Sequence, residues 1–227
     1  MKKYLLFLVL TGLVLFQSCI SLTRKLTLNK DGSGKETIQV DFSRNFMDMI
    51  VGFASALDTA RYQEIRDSIY NDENFIQESN DDYQNIEGVT VDKISSRTNP
   101  DSSKTLDMSL SFNSISGLQN IYNKEAGEDG NITNLIFQRN GDIINYDLTI
   151  RKRPVENPQD TSMTGLRNSI AEMMKNNYYT MEVEFPYTIK STNGEMLNQN
   201  TVRWKYVISE LYNLDSVVTM NAVLNAD

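Results

Sequence analysis

Leu22-Thr23-Arg24-Lys25-Leu26-Thr27-Leu28-Asn29-Lys30-Asp31-Gly32-Ser33-Gly34-Lys35-Glu36-Thr37-Ile38-Gln39-Val40-Asp41-Phe42 is the stretch that decides the fold. Apolar residues fall on alternate positions at Leu22, Leu26 and Leu28, and again at Ile38, Val40 and Phe42. That is strand periodicity, in which one face is buried and the other meets water. Lys30-Asp31-Gly32-Ser33-Gly34 lies between the two runs, a turn sequence with two glycines able to take positive φ. Residues 22–42 therefore read as a β-hairpin.

The same grammar continues toward the C-terminus. Phe46, Ile50, Phe53 and Leu57 form a helical stripe with Met47, Val51 and Ala54 beside it, capped by Ser43 or Asn45. A more polar helix carrying Tyr62, Ile65 and Ile69 follows, to about Tyr70. Residues 71–87 hold Asp72, Glu73, Glu78, Asp81, Asp82 and Glu87. Clustered oxygen ligands would suit calcium, but the D-x-[DN]-x-[DN]-G spacing is missing, so a solvated loop or frayed helix is the expectation. A second hairpin runs from Val89, Val91 and Ile94 through Asn99-Pro100-Asp101-Ser102-Ser103 to Leu106, Met108, Leu110 and Phe112. A helical stretch with Ile115, Leu118, Ile121 and Tyr122 ends at Gly127-Glu128-Asp129-Gly130.

The third hairpin is Leu135–Phe137 and Ile144–Ile150, joined by Asn140-Gly141-Asp142, where Asn-Gly is a strong tight-turn signal. A linker over 151–162 contains Pro154 and Pro158, and a helix then carries Met163, Leu166, Ile170, Met173 and Met174. Strands close the chain at Tyr179–Phe185, Val202–Tyr206 and Val217–Leu224. The expected fold class is α+β: one antiparallel sheet built from successive hairpins, with helices packed on one face.

The N-terminus speaks of location. Lys2 and Lys3 precede an apolar run from Tyr4 to Phe16 that ends at Gln17-Ser18-Cys19. This is the positive region, apolar region and small-residue junction of an export signal, too short for a comfortable membrane span of about 20 residues. It resembles a bacterial lipoprotein signal, in the looser form found in lipoproteins of the Bacteroidota, with Ser18 before Cys19 and bulky residues upstream. The resemblance implies residues 1–18 as signal peptide and 19–227 as a single α+β domain anchored by lipid on Cys19. Cys19 is the only cysteine, so the folded part has no disulfide, thiolate nucleophile or cysteine metal site.

Composition narrows function by exclusion. The chain has 227 residues and a net charge of −8, more acidic still once Lys2 and Lys3 leave with the signal. It is a poor candidate for binding nucleic acid or an anionic bilayer through its own charge. Histidine is absent, which removes the commonest general base, the commonest metal ligand and every Ser-His or Cys-His arrangement. A hydrolase with paired carboxylates would need two acids in one cleft, and no spacing announces such a pair. No catalytic residue, metal ligand or cofactor is assigned.

Phe185-Pro186, Ser191-Thr192-Asn193-Gly194 and Thr201-Val202-Arg203-Trp204 occur in that order. With Asp31-Gly32-Ser33-Gly34 close behind Cys19, this resembles the LppM-type domain of bacterial lipoproteins, although Tyr187 stands where that family has glycine. The resemblance implies a non-enzymatic α+β domain that holds a lipid or other apolar group. Read residue by residue, Trp204 is a core aromatic and Asn193-Gly194 a hairpin turn.

Three further patterns stand in the chain. Asp58-Thr59-Ala60, Asp67-Ser68-Ile69 and Asp215-Ser216-Val217 resemble Bacteroidota O-glycosylation acceptors, while Asn131-Ile132-Thr133 fits a different secretion pathway. Met47, Met49, Met173 and Met174 would suit a variable apolar ligand, but core packing is the simpler reading. Tyr178, Tyr179, Trp204, Tyr206 and Tyr212 would line a carbohydrate platform if exposed; in alternating strands they read as core and rim.

The expectation is a non-enzymatic lipoprotein on the periplasmic face of the outer membrane, binding an apolar ligand or partner protein there. The start Ile20-Ser21-Leu22-Thr23-Arg24-Lys25, neutral and then basic, lacks the acidic run of surface-exported lipoproteins. The alternative is a surface-exposed glycan-binding accessory lipoprotein.

Overall fold

A computed structural model describes residues 20–57, 59–129, 131–152, 174–211 and 217–226. Strands β1 (Ile20–Leu28) and β2 (Gly34–Phe42) form the first hairpin, pairing from Ile20 with Phe42 to Leu28 with Gly34. Its turn is closed by Asn29 donating its backbone N–H to the Ser33 carbonyl at 2.8 Å, with Gly32 at φ 83. Asp31 accepts from both the backbone N–H and the hydroxyl of Ser33. The second hairpin, β3 (Val89–Thr98) and β4 (Lys104–Phe112), repeats this turn. Asn99 bonds Ser103, Asp101 caps Ser103, and Ser102 sits at φ 66 where the first turn has glycine.

The α+β class holds, but the strands divide between two sheets rather than one. The larger sheet has the order β3-β4-β2-β1-β7-β10-β9, with β7 (Tyr178–Glu184), β9 (Glu195–Met196) and β10 (Thr201–Val207). The smaller has the order β5-β6-β11-β8, with β5 (Asn131–Asn140), β6 (Ile143–Lys152), β8 (Ile189–Thr192) and β11 (Val217–Asn225). Pairing is antiparallel except between β1 and β7, which run parallel from Leu22 beside Tyr179 to Thr27 beside Glu184. A parallel neighbour needs a crossover connection, and most of the chain lies between these two strands.

Each sheet buries one face against the other. Leu26, Leu110, Met181, Val183 and Val202 are buried on the larger sheet, and Leu148, Met220 and Leu224 on the smaller. Tyr146 of β6 meets Phe185 edge-on at 5.1 Å and stacks near Trp204 at 6.0 Å, which joins the two inner faces. The opposite face of the larger sheet carries Thr23, Lys25, Thr37, Gln39, Asp107 and Ser109, as period-two alternation requires.

Asn193 and Gly194 carry the chain from β8 in the smaller sheet to β9 in the larger. Asn193 accepts from the Trp204 indole at 2.6 Å and from the Asn221 backbone at 3.0 Å, and donates to the Thr219 carbonyl. A Cβ on Gly194 would come within 2.8 Å of the Arg203 carbonyl and 2.7 Å of the Trp204 indole nitrogen. The turn is thus a cross-sheet clamp around Trp204, not a simple hairpin turn.

The helices cover the inner face where the small sheet does not. Helix α1 (Arg44–Leu57) is capped by the Ser43 hydroxyl and buries Met47 and Val51. The side chains of Phe53, Ala54 and Leu57, the rest of its expected stripe, lie outside the described residues. After a short 3-10 turn (Thr59–Arg61) come α2 (Tyr62–Tyr70) and α3 (Asp72–Tyr83). The segment expected as a loop or frayed helix is therefore a regular helix for most of its length. Asn71 caps it by accepting from the Glu73 backbone at 2.8 Å, and Asp72 and Glu73 sit favourably in its first turn.

The α2–α3 junction is pinned to β4 by Lys104, whose side chain is wholly buried. Lys104 donates to the Tyr70 carbonyl at 2.9 Å, pairs with Asp72 at 2.8 Å and lies over the Phe75 ring. Helix α4 (Ile115–Asp129) packs on β5 and on the ends of β3 and β4, burying Leu118, Ile121 and Tyr122. The expected helix over 163–174 lies outside the described residues apart from Met174, which is buried. No described helix is long and apolar enough to cross a membrane.

Candidate functional site

Where the two sheets and α4 meet, they border a partly open cavity of about 310 Å³. Ile20, Leu22 and Arg24 enter it from β1, Ile38 and Val40 from β2, and Met108 from β4. Leu148 and Ile150 face them from β6. Tyr122, Glu125 and Ala126 come from α4, and Tyr83 from the end of α3. Apolar side chains make up most of this wall because the alternation that builds each strand points them inward. Among the described residues that line the cavity, Arg24 and Glu125 are the charged ones.

Arg24 organises the polar part. It stands on the buried face of β1 between Leu22 and Leu26, where the alternation calls for an apolar residue. Its Nε and Nη2 donate to the two oxygens of Glu36, both at 2.8 Å. Nη1 donates to Glu125, and the guanidinium lies 4.9 Å from the centre of the Tyr122 ring. Tyr83 donates its hydroxyl to the other oxygen of Glu125 at 2.7 Å, and Tyr122 donates to Glu36 at 3.3 Å. Glu36 itself is wholly buried.

Protonation follows from this packing. Burial works against the Arg24 charge, but Glu125 and Glu36 outweigh it and hold the guanidinium proton more firmly than usual. Burial pushes the Glu36 carboxyl up, and Arg24 pulls it part of the way back. Burial and then Glu125 push the Tyr83 hydroxyl up, and burial and then Glu36 do the same for Tyr122. The phenols stay neutral donors. Near this cluster the Tyr146 hydroxyl is buried with no hydrogen-bond partner among the described residues, an uncommon state for an interior polar group.

Sequence reading missed the cluster. It brings two acids onto one guanidinium, with Arg24 and Glu125 101 residues apart in the chain, so no local spacing announces it. One signal was present: Arg24 and Glu36 occupy inward positions of the first hairpin, and a charge there must find a buried partner.

The other predicted residues fall as follows. Cys19 lies outside the described residues, while β1 begins at Ile20, the next residue. Tyr179 and Trp204 are buried, Tyr206 is half-buried and donates its hydroxyl to the Thr219 carbonyl, and Tyr178 is exposed beneath Lys205. Tyr212 lies outside the described residues, so the described aromatics form no exposed row. Met47 is core, Met174 lines the cavity, and Met173 lies outside the described residues. Of the possible modification sites, Ser68 is tied into the α2–α3 junction by Asn74, while Asp58, Asp215 and Ser216 lie outside the described residues. Asp72 and Asp82 of the acidic segment are engaged by Lys104 and Lys124.

No protein-family model and no curated protein matches this chain. Among solved structures, the NMR structure of the folded domain of Mycobacterium tuberculosis LppM is similar to it, with a TM-score of 0.48 and 16% identity. That alignment covers 92% of this chain and 90% of the other. The Fcho1 Mu homology domain of Danio rerio with bound Eps15 peptide is similar at a TM-score of 0.25 and 10% identity, over 92% and 81%. At these levels the cavity stands on its own geometry.

Proposed function

We propose that this chain is a non-enzymatic, lipid-anchored binding protein whose intersheet cavity takes an apolar ligand, with Cys19 as the lipidated residue. The cavity carries the reading. Its volume of about 310 Å³ falls at the low end of the roughly 300–1,000 Å³ of small-molecule sites. Ile20 lines the cavity one residue after Cys19, and one residue spans at most about 3.6 Å. A ligand leaving a bilayer that holds the Cys19 lipid would have the shortest path to this wall.

The polar cluster supports a binding role over catalysis. Each carboxylate oxygen of Glu36 and Glu125 accepts from Arg24, Tyr83 or Tyr122, so neither acid is poised to take a substrate proton. The competing glycan-binding reading needs an exposed aromatic row, and burial of Tyr179 and Trp204 speaks against it. Placement at the periplasmic face of the outer membrane rests on the start of the chain, which lacks an acidic run after Cys19.

A fluorescent apolar probe titrated into the full chain tests the cavity. Saturable binding that Ala126→Trp abolishes, with unchanged circular dichroism, is the expected result; equal binding by both proteins contradicts it. Protease shaving of intact cells, with and without Cys19→Ala, tests the anchor and the side. Digestion of the wild type on whole cells defeats the inner-face placement, and a Cys19→Ala protein that stays in the membrane fraction defeats the lipid anchor.

A further inference from the structure

Resting on the cavity reading above, we infer that the ligand is a single-chain amphiphile with an uncharged, hydrogen-bonding head, and that the Arg24–Glu36–Glu125 cluster excludes anionic heads. A cavity of about 310 Å³ has the volume of one small ligand, not of a two-chain lipid enclosed entire. The head group is decided by the charge count.

An apolar cavity with one arginine in its wall would ordinarily suggest a carboxylate or phosphate ligand, because guanidinium binds these oxyanions in a fork. Here the fork is taken. Glu36 engages Nε and Nη2 with both of its oxygens, and Glu125 engages Nη1. Two carboxylates against one guanidinium give the cluster behind this wall a formal charge of −1. No other charged group lines the cavity among the described residues. An anionic head placed here would face Glu125, whose side chain keeps 23% exposure, with no free cation among the described lining residues to meet it. It would lose its hydration and gain repulsion, which rejects a ligand more sharply than missing contacts do.

An uncharged head meets the opposite situation. A hydroxyl donates to the cavity-facing Glu125 and accepts from the hydroxyl of Thr133, which also lines the site. The buried charges thus act as a filter on head-group charge, while the apolar walls hold the chain. Arg24 serves the protein's own carboxylates and is closed to the ligand's.

The test compares lauryl alcohol with laurate, which share a chain and differ in head charge at neutral pH. Each is titrated into the full chain held in amphipol, so that no detergent competes. The alcohol is expected to bind at least about tenfold more tightly, since like-charge juxtaposition at a binding site costs on the order of kilocalories per mole. Glu125→Gln removes one negative charge at nearly constant shape and should narrow that ratio by strengthening laurate binding. Laurate binding as tightly as the alcohol in the wild-type chain overturns the filter while leaving the cavity reading intact. Binding of neither probe overturns the cavity reading and the filter together.

Discussion

Arg24 shows how much a single residue decides here. Its guanidinium is buried with two carboxylates, and an ion cluster of this kind costs desolvation that only close geometry repays. Arg24→Met would strip the wholly buried Glu36 of its cation, forcing it to be protonated or to stay buried as an unpaired charge, so the variant should lose about 3–5 kcal/mol of stability in urea unfolding. Arg24→Met combined with Glu36→Leu should recover most of that loss, because the stranded charge leaves with its partner. A single variant as stable as the double would mean that the cluster does not tie the first hairpin to α3 and α4 as described. At this scale the sequence was legible in part. The inward leucines declared themselves through alternation, whereas the partners of Arg24 are set by tertiary contacts far along the chain.

Asp72 makes the opposite kind of contribution. Partial burial pushes its carboxyl up, but hydrogen bonds from Lys104 and Ser96 together bring it below the usual aspartate value of 3.8. A depressed folded value stabilises the protein above the unfolded value, and that gain is lost as pH falls through the folded one. Glu36, with its folded value raised, runs the other way: its contribution is fully present below the unfolded value and lost as pH rises through the folded one. The urea midpoint measured from about pH 6 to about pH 3 should therefore fall less steeply in Asp72→Asn than in wild type. Parallel curves would show that the Lys104–Asp72 contact does not hold α2 and α3 to the sheet.

Among the elements, α4 carries one wall of the cavity and is seated by a close approach at its start. A Cβ on Gly117 would lie 2.7 Å from the Gly88 carbonyl oxygen, and that oxygen already accepts from the Asn113 backbone. Alanine would gain about 1 kcal/mol of helix propensity, but overpacking against backbone costs about 1–3 kcal/mol. Gly117→Ala should thus destabilise by about 1 kcal/mol or more and weaken probe binding, since α4 brings Tyr122, Glu125 and Ala126. Greater stability with unchanged binding would contradict this seating.

Strand elements were the most readable part of the chain, since period two survives wherever one face is buried. Helix α3 was hidden because its residues form no apolar stripe; Phe75, Ile76 and Tyr83 are only partly buried. Its true signal was the cap at Asn71 followed by Asp72 and Glu73, which a search for apolar periodicity passes over.

At the scale of the molecule, hairpin counting led to one sheet where there are two. Each hairpin was visible, but the choice of neighbour between hairpins rests on contacts such as the parallel β1–β7 pair and the Asn193 clamp on Trp204. That division creates the cavity, so the site could not be legible before the topology was. Cys19 and the first strand place this cavity one residue from the proposed anchor, which joins the reading of location to the reading of function. Native mass spectrometry of the full chain released from membranes tests that union most directly. The account predicts a non-covalent apolar adduct on the wild-type protein and none on Ala126→Trp; a bare wild-type protein, or the same adduct on both, would contradict it.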